Sequence, residues 1–313
     1  MFHPTLTKSG RFFFAPIIKT AEFLGLHFPD LLLRLRYFVV FKRKLNLKNP
    51  QGLNEKIIWA KLFSDTSKWS ELADKYKVRK FIEQKGLTEH LVPLHAVWYN
   101  IKDINIDVLP DTFIIKANNG DGKGTNKIIK KSELTGKHYK EFVDLIEGWL
   151  NRKNIGALHA EPHYKDMTPC VTVEDVLPLE EESTSLTDYK IWCFNGKAHY
   201  IYVCNNRNKS GNQAHVMTYD LNWKAHPEYS IFNTDYLQGE IIPRPKNLER
   251  MIEIAEILSE GFPEVRVDLY NINGNIYFGE LTFTSQGGLM DYFTPEFNQL
   301  LGQYIDIDSF PRK

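Results

Sequence analysis

Residues 262–284 read FPEVRVDLYNINGNIYFGELTFT. Apolar and polar residues alternate on both sides of Asn273-Gly274, a dipeptide that favours the tight type I′ turn. The stretch is therefore a β-hairpin, running out over 265–270 and back over 276–281. By the period of two, Arg266 and Asp268 share one face of the first strand, and Glu280 and Thr282 share a face of the second. Two carboxylates and a guanidinium on neighbouring strands form a clamp for phosphate and magnesium. Magnesium takes one or two protein carboxylates and fills its other positions with phosphate oxygens and water. Register decides whether the clamp exists. A strict two-residue turn pairs Val267 with Glu280 and sends Asp268 and Glu280 to opposite faces. The site reading thus predicts an odd loop or one bulged residue in this hairpin. On spacing alone, an ordinary solvated hairpin would carry the same residues.

A second hairpin is signalled by Asn195-Gly196, between strands at 188–194 and 197–204. Asp188 and Lys190 share a face, which makes Lys190 a candidate catalytic cation; a surface ion pair is the plainer alternative. A helix over 248–260, closed by Gly261, lies between the hairpins. Upstream, Asn54 reads as an N-cap opening a helix with Ile57, Ile58 and Leu62 on one side. Another helix is expected over 70–84, stopping at Gly86, with Leu72, Tyr76, Val78 and Phe81 inward and Lys75 and Arg79 on another face. Short strands are expected at 91–93, 96–98, 113–116, 127–129 and 170–173, and a helix over 132–152. Helices alternate with hairpins, so the fold class is α+β (mixed α/β), with antiparallel or mixed sheets and no doubly wound parallel sheet.

The strand at 113–116 runs into Asn118-Asn119-Gly120-Asp121-Gly122-Lys123-Gly124. Alternate glycines, Gly120 and Gly122 among them, let the backbone approach a ligand and turn its amides toward an anion. This is neither a Walker loop nor a dinucleotide fingerprint. A hairpin turn explains the glycines equally well; the added signal is Lys116, which leaves a core strand beside the loop. Glu174-Asp175-Val176-Leu177 follows an apolar strand and precedes Pro178, a segment able to hinge two lobes.

Composition narrows the field. The chain has 313 residues, and 39 lysines and arginines balance 39 aspartates and glutamates, which argues against nucleic acid as a partner. Aromatic residues make up 13%, too many and too evenly spread for a disordered chain. The three cysteines, Cys170, Cys193 and Cys204, lie in apolar stretches without metal spacing and are expected to be buried free thiols. No apolar run reaches the ~20 residues of a membrane span. Phe12-Phe13-Phe14-Ala15-Pro16 lacks the features of a signal peptide, so a cytoplasmic location is expected. Charge is uneven, however: up to Lys48 there are nine basic residues and only Glu22 and Asp30 as acids. This basic, apolar-interleaved arm either packs on the core with a solvated basic face or makes a peripheral contact with anionic lipid, at the inner face of a membrane, or with polysaccharide.

Five blocks, LNLKNPQGLNEKIIWAKL, LADKYKVRKFI, FIIKANNGDG, DYKIWCFNGK and the opening 262–284 hairpin, resemble in order the TupA-like ATP-grasp proteins of surface-polymer biosynthesis. The resemblance covers about residues 45–288. It implies an ATP-grasp fold, two α+β lobes sandwiching ATP, with ATP and Mg2+ as cofactors. Carried over, it implies Lys116 and Lys75 on the ATP phosphates, the glycine-rich loop with Gly120 and Gly122 over them, Glu174 and Val176 at ribose and adenine, Arg266 on transferring phosphate, and Asp268 and Glu280 on magnesium. The expected organisation is a helical basic region (1–50), a pre-ATP-grasp subdomain (51–110), a small lobe (111–175) and a large lobe (176–313). The implied reaction is carboxylate–amine ligation through an acyl phosphate, joining a uronic acid of a polysaccharide or its precursor to an amino acid or small amine. A kinase acting on a sugar hydroxyl and a non-catalytic sugar- or membrane-binding protein are the alternatives. Thr282 stands where many relatives have asparagine, Asp121 adds an acid to the loop, and Ser285-Gln286-Gly287-Gly288 replaces a proline-glycine segment.

Overall fold

The computed structural model describes residues 8–120, 124–181, 183–208 and 213–313, with side chains from Pro16 onward. Among these residues, two sheets are built by separate parts of the chain. The first contains β1 (Leu94–Trp98), β2 (Thr112–Ala117), β3 (Asn126–Lys130) and β4 (Val171–Glu174), in the order β1-β4-β2-β3, all antiparallel. Helix α6 (Gly136–Leu150) covers it, and Phe142, Ile146 and Trp149 pack with Phe113, Ile115, Val171 and Val173 into a core of their own.

The second sheet contains β5 (Asp188–Phe194), β6 (Lys197–Asn205), β7 (Ala214–Asp220), β8 (Tyr236–Gln238), β9 (Glu264–Ile272) and β10 (Asn275–Thr282), in the order β10-β9-β5-β6-β7-β8. Only β7 and β8 pair in parallel. Along β9, Val265, Val267 and Leu269 are fully buried in a core shared with Met251, Ile254, Ala255 and Leu258 of α7 (Leu248–Ser259). Each such side chain contributes roughly 1.5–3 kcal/mol of burial. The alternate residues, Arg266, Asp268 and Tyr270, are thereby committed to the other face.

Helices α1 (Lys8–His27), α2 (Pro29–Phe41), α3 (Leu53–Phe63), α4 (Ser67–Leu72), α5 (Val78–Gln84) and α8 (Pro295–Gln303) complete the molecule. Both Asn-Gly turns have the expected conformation, with positive φ at Asn195, Gly196, Asn273 and Gly274. All three cysteines are buried and free.

Several local readings need correction. The helix expected over 70–84 is two short helices with a break at 73–77. There Asp74 Oδ1 accepts from the backbone N–H groups of Tyr76 and Lys77, an aspartate turn that competes with helix continuation. Asn54 is not an N-cap. Gly52 precedes the helix, and the Asn54 amide instead donates to Met290 O and accepts from Met290 N, a buried tie between distant parts of the chain. The residues at 91–93 are not a strand, and the helix expected from 132 starts at Gly136, after a 3-10 turn.

Candidate active site

The hairpin that opens the analysis contains the bulge its site reading requires. Ile272 pairs with Asn275 across the two-residue turn, and the ladder runs regularly to Phe278 and Leu269; it then shifts by one residue, so that Glu280 faces Asp268 and Thr282 faces Arg266. Gly279 is the extra residue. A Cβ there would lie 2.9 Å from Asp268 O and 3.3 Å from the Tyr270 ring, so the close approach needs glycine.

Strand β5 extends the row. Lys190 pairs with Asp268, so Glu280, Asp268 and Lys190 lie side by side across three strands. Arg266 clamps Asp268 with Nε at 2.6 Å and Nη2 at 2.7 Å, while Lys190 Nζ lies 2.5 Å from Asp268 and 2.6 Å from Asp188. Arg266 also donates to Ser285 Oγ (2.9 Å) and Thr282 Oγ1 (3.1 Å), and reaches Glu280 at 3.4 Å. Burial works against the charge on Lys190, but Asp188 and Asp268 outweigh it and hold its ammonium above the ordinary lysine value. Burial raises the Asp268 carboxyl while Arg266 and Lys190 oppose the rise. Burial also acts to raise the Glu280 carboxyl, yet Lys75, Lys190 and Arg266 prevail and hold it below the ordinary glutamate range.

The first sheet supplies the facing groups. Lys116, at the end of β2, donates to Glu174 Oε2 at 2.6 Å, and Arg79 lies 3.5 Å from the other oxygen of the same carboxylate. Lys75 links the two sides, donating to Gly120 O at 2.9 Å and lying 3.6 Å from Glu280. The break between α4 and α5 turns Lys75 this way. Gly120 is sterically required, since a Cβ there would lie 2.4 Å from Thr125 Oγ1. Lys75, Lys116, Gly120, Glu174, Lys190, Arg266, Asp268 and Glu280 all line one cleft of about 870 Å³. Val176 does not line it, and Gly122 and Asp121 lie outside the described residues.

Two features escaped sequence reasoning. Asp74 Oδ2 accepts from the Asn118 amide at 2.7 Å, and Asn118 also bonds Thr168 O and the backbone N–H of Cys170, so this buried pair ties the Lys75 turn to the root of the glycine-rich loop. Its one signal was Asn118, just ahead of the first glycine. At the other end, Lys61 is 1% exposed and donates to His159 O and Gly287 O, and burial brings its ammonium down to about 8. This fastens the residues after β10 to a turn at 157–159.

The donor set suits a magnesium ion that arrives with phosphate. Glu280 and Asp268 are adjacent, and Asp188 Oδ1, buried beside Lys190, has no hydrogen-bond partner among the described residues. No group of three or more metal-ligating side chains occurs among those residues, so phosphate oxygens and water would complete the shell.

The profile of the TupA-like ATPgrasp family matches residues 55–306, about four fifths of the chain. A search of the curated proteins found no match. Among solved structures, the chain is similar to D-alanine–D-alanine ligase from Helicobacter pylori (14% identity, 85% of this chain and 69% of that chain, TM-score 0.46). It is also similar to the Bacillus anthracis D-alanine–D-alanine ligase (15%, 71% and 60%, TM-score 0.42) and to D-cycloserine synthetase DcsG (12%, 76% and 69%, TM-score 0.41). The chain spans 60% of the Bacillus anthracis enzyme, and the family assignment rests on the profile alone. The profile match identifies the chain as a member of the TupA-like ATPgrasp family, and its two-sheet α+β architecture is an ATP-grasp fold.

Proposed function

We propose that the protein is an ATP-dependent carboxylate–amine ligase that works through an acyl phosphate. The observation that carries this reading is the row Glu280–Asp268–Lys190, backed by Arg266, facing Lys75 and Lys116 across one cleft. A sugar- or membrane-binding module has no use for four cations and two paired carboxylates turned toward one space.

In this reading Lys116 and Lys75 hold the nucleotide phosphates from the side of the first sheet, with Gly120 allowing the loop to close over them. Glu174 keeps Lys116 and Arg79 in place, so a part for Glu174 at the ribose would be shared with those two cations. Asp268 and Glu280 would hold magnesium, which when bound neutralises phosphate charge and fixes the phosphates in line. A substrate carboxylate oxygen attacks the γ-phosphorus; the bond to the bridging oxygen breaks and ADP leaves. Arg266 and Lys190, fixed by buried carboxylates, meet the spreading negative charge without reorganising. An amine nitrogen then attacks the acyl carbon, phosphate departs, and the nitrogen loses a proton to give the amide. The two lobes exclude water, which would otherwise hydrolyse the acyl phosphate.

For substrates we propose a uronic acid of a surface polysaccharide or its precursor as the carboxylate and an amino acid or small amine as the acceptor; the family membership supports this choice. Incubation with Mg·ATP, uronic acids and amines, followed by mass spectrometry, tests it. An amide together with ADP and free phosphate is expected. A phosphorylated sugar without amide would make the protein a kinase instead.

A further inference from the structure

The α1–α2 hairpin carries more exposed apolar surface than its fold requires. Eight of the seventeen exposed large hydrophobic residues in the described chain fall between Ile17 and Val39. On α2, Leu31, Leu35, Phe38 and Val39 are 48–60% exposed and recur at helical spacing, so they form one stripe. Leu33 and Tyr37, fully buried, and Leu32 already supply the face that joins the core. Phe23 and Leu26 of α1 and Phe28 at the junction are exposed as well. The chain leaving α2 then bears exposed Lys42, Arg43, Lys44 and Lys48. Across 16–48 there are seven cations and two acids, and one of those acids, Asp30, is held by Arg34.

We propose that this hairpin docks on an anionic lipid bilayer, lying in its interface and not crossing it. No helix among the described residues is long and apolar enough to span a membrane. An apolar stripe bordered by lysines fits acyl chains below and anionic headgroups around it. A second copy of the chain fits poorly, because a two-fold contact sets the same patch against itself and brings net positive charge onto net positive charge.

The docked hairpin would also place the cleft at the membrane. Gly25 of α1 sits so close to the 157–159 turn that a Cβ would lie 1.8 Å from Ala157 O. Arg36 of α2 donates to Leu158 O in the same turn. His159 and Glu161, next along, line the cleft. A rigid link therefore runs from the apolar stripe to the cleft wall, and the substrate class it favours is one presented at a lipid surface.

Flotation of the full chain with phosphatidylcholine vesicles, with and without phosphatidylglycerol, tests this independently of any nucleotide chemistry. The wild type should float with the anionic vesicles at low salt, be released by high salt, and ignore the neutral ones. Lys42→Gln, Lys44→Gln and Lys48→Gln together should weaken binding by on the order of a hundredfold, about fivefold per lysine. Leu35→Gln with Phe38→Gln should abolish it while leaving the thermal midpoint unchanged, because both side chains are exposed. Absence of wild-type binding, or equal binding to both vesicle types, overturns the proposal whatever the variants do. So does a dimer in vesicle-free sedimentation that Leu35→Gln with Phe38→Gln dissolves, which would assign the stripe to a second copy. Binding lost in the lysine variant but kept in the apolar one would assign the arm to a soluble polyanion, and overturns it too.

Discussion

Asp268→Asn and Glu280→Gln remove one charge each from adjacent residues, yet the structure predicts very different costs. Asp268 is 2% exposed and accepts three charged hydrogen bonds, from Arg266 Nε, Arg266 Nη2 and Lys190 Nζ, at 2.5–2.7 Å. Asparagine keeps one acceptor oxygen and turns an NH2 toward a cation. Breaking a buried pair in this way costs about 3–5 kcal/mol, chiefly because the partner charge is left uncompensated. Glu280 has a 40% exposed side chain, and its contacts to Arg266 and Lys75 are longer, at 3.4 and 3.6 Å. Solvent screening limits the cost of Glu280→Gln to under about 1 kcal/mol. Urea unfolding followed by tryptophan fluorescence measures both, with the midpoint shift read at constant slope. Asp268→Asn combined with Arg266→Met should cost less than the sum of the two single changes, because the stranded charge is gone. An Asp268→Asn variant as stable as wild type, or a Glu280→Gln variant just as unstable, would refute the reasoning.

Three further outcomes follow from the same geometry. Gly279→Ala sets a Cβ 2.9 Å from Asp268 O and should cost about 1–3 kcal/mol while weakening Mg-dependent nucleotide binding; urea unfolding and calorimetry check both, and a neutral result in each would show that the bulge does not constrain the site. Glu264 is buried with one oxygen lacking a hydrogen bond, and burial holds its carboxyl well above the usual range. The folded state therefore retains a proton that the unfolded chain releases near pH 4.3, and stability falls as pH rises from there to the folded value. Relative to wild type, Glu264→Gln should gain melting temperature as pH is raised from 5 to 8, and parallel curves would contradict this. Asp74→Ala should cost roughly 1–3 kcal/mol by leaving buried donors unmet, and should weaken ATP binding although Asp74 does not line the cleft. Unchanged ATP affinity would show that the Lys75 turn is positioned without it.

Much of the site was legible because hairpins are local. The two Asn-Gly turns fixed which strands pair, and the demand that Asp268 and Glu280 meet implied a bulge that the backbone places at Gly279. Lys116 was legible from its position at the end of an apolar strand. What stayed hidden depends on contacts between distant residues. Strand order β10-β9-β5 sets Lys190 beside Asp268, and no turn signal joins residues 78 apart. The helix expected over 70–84 has an unbroken apolar period; it breaks at the aspartate turn in which Asp74 Oδ1 takes the Tyr76 and Lys77 N–H groups, while Asn118, 44 residues on, holds the other oxygen of the same carboxylate. Asn54 has the residue type of an N-cap, but its amide is taken by Met290. Val176 sits at the expected hinge position but outside the cleft wall, which an extended segment read without its neighbours cannot reveal.

The central claim is that Asp268 and Glu280 form a magnesium-dependent nucleotide site. Calorimetric titration of ATP, with and without magnesium, into wild type and Glu280→Gln tests it most directly, because this variant removes a proposed ligand at little cost in stability. The account predicts magnesium-dependent ATP binding by wild type and loss of the magnesium-dependent part in the variant. Wild type that binds no ATP under either condition, or a variant that binds Mg·ATP as tightly as wild type, would contradict it.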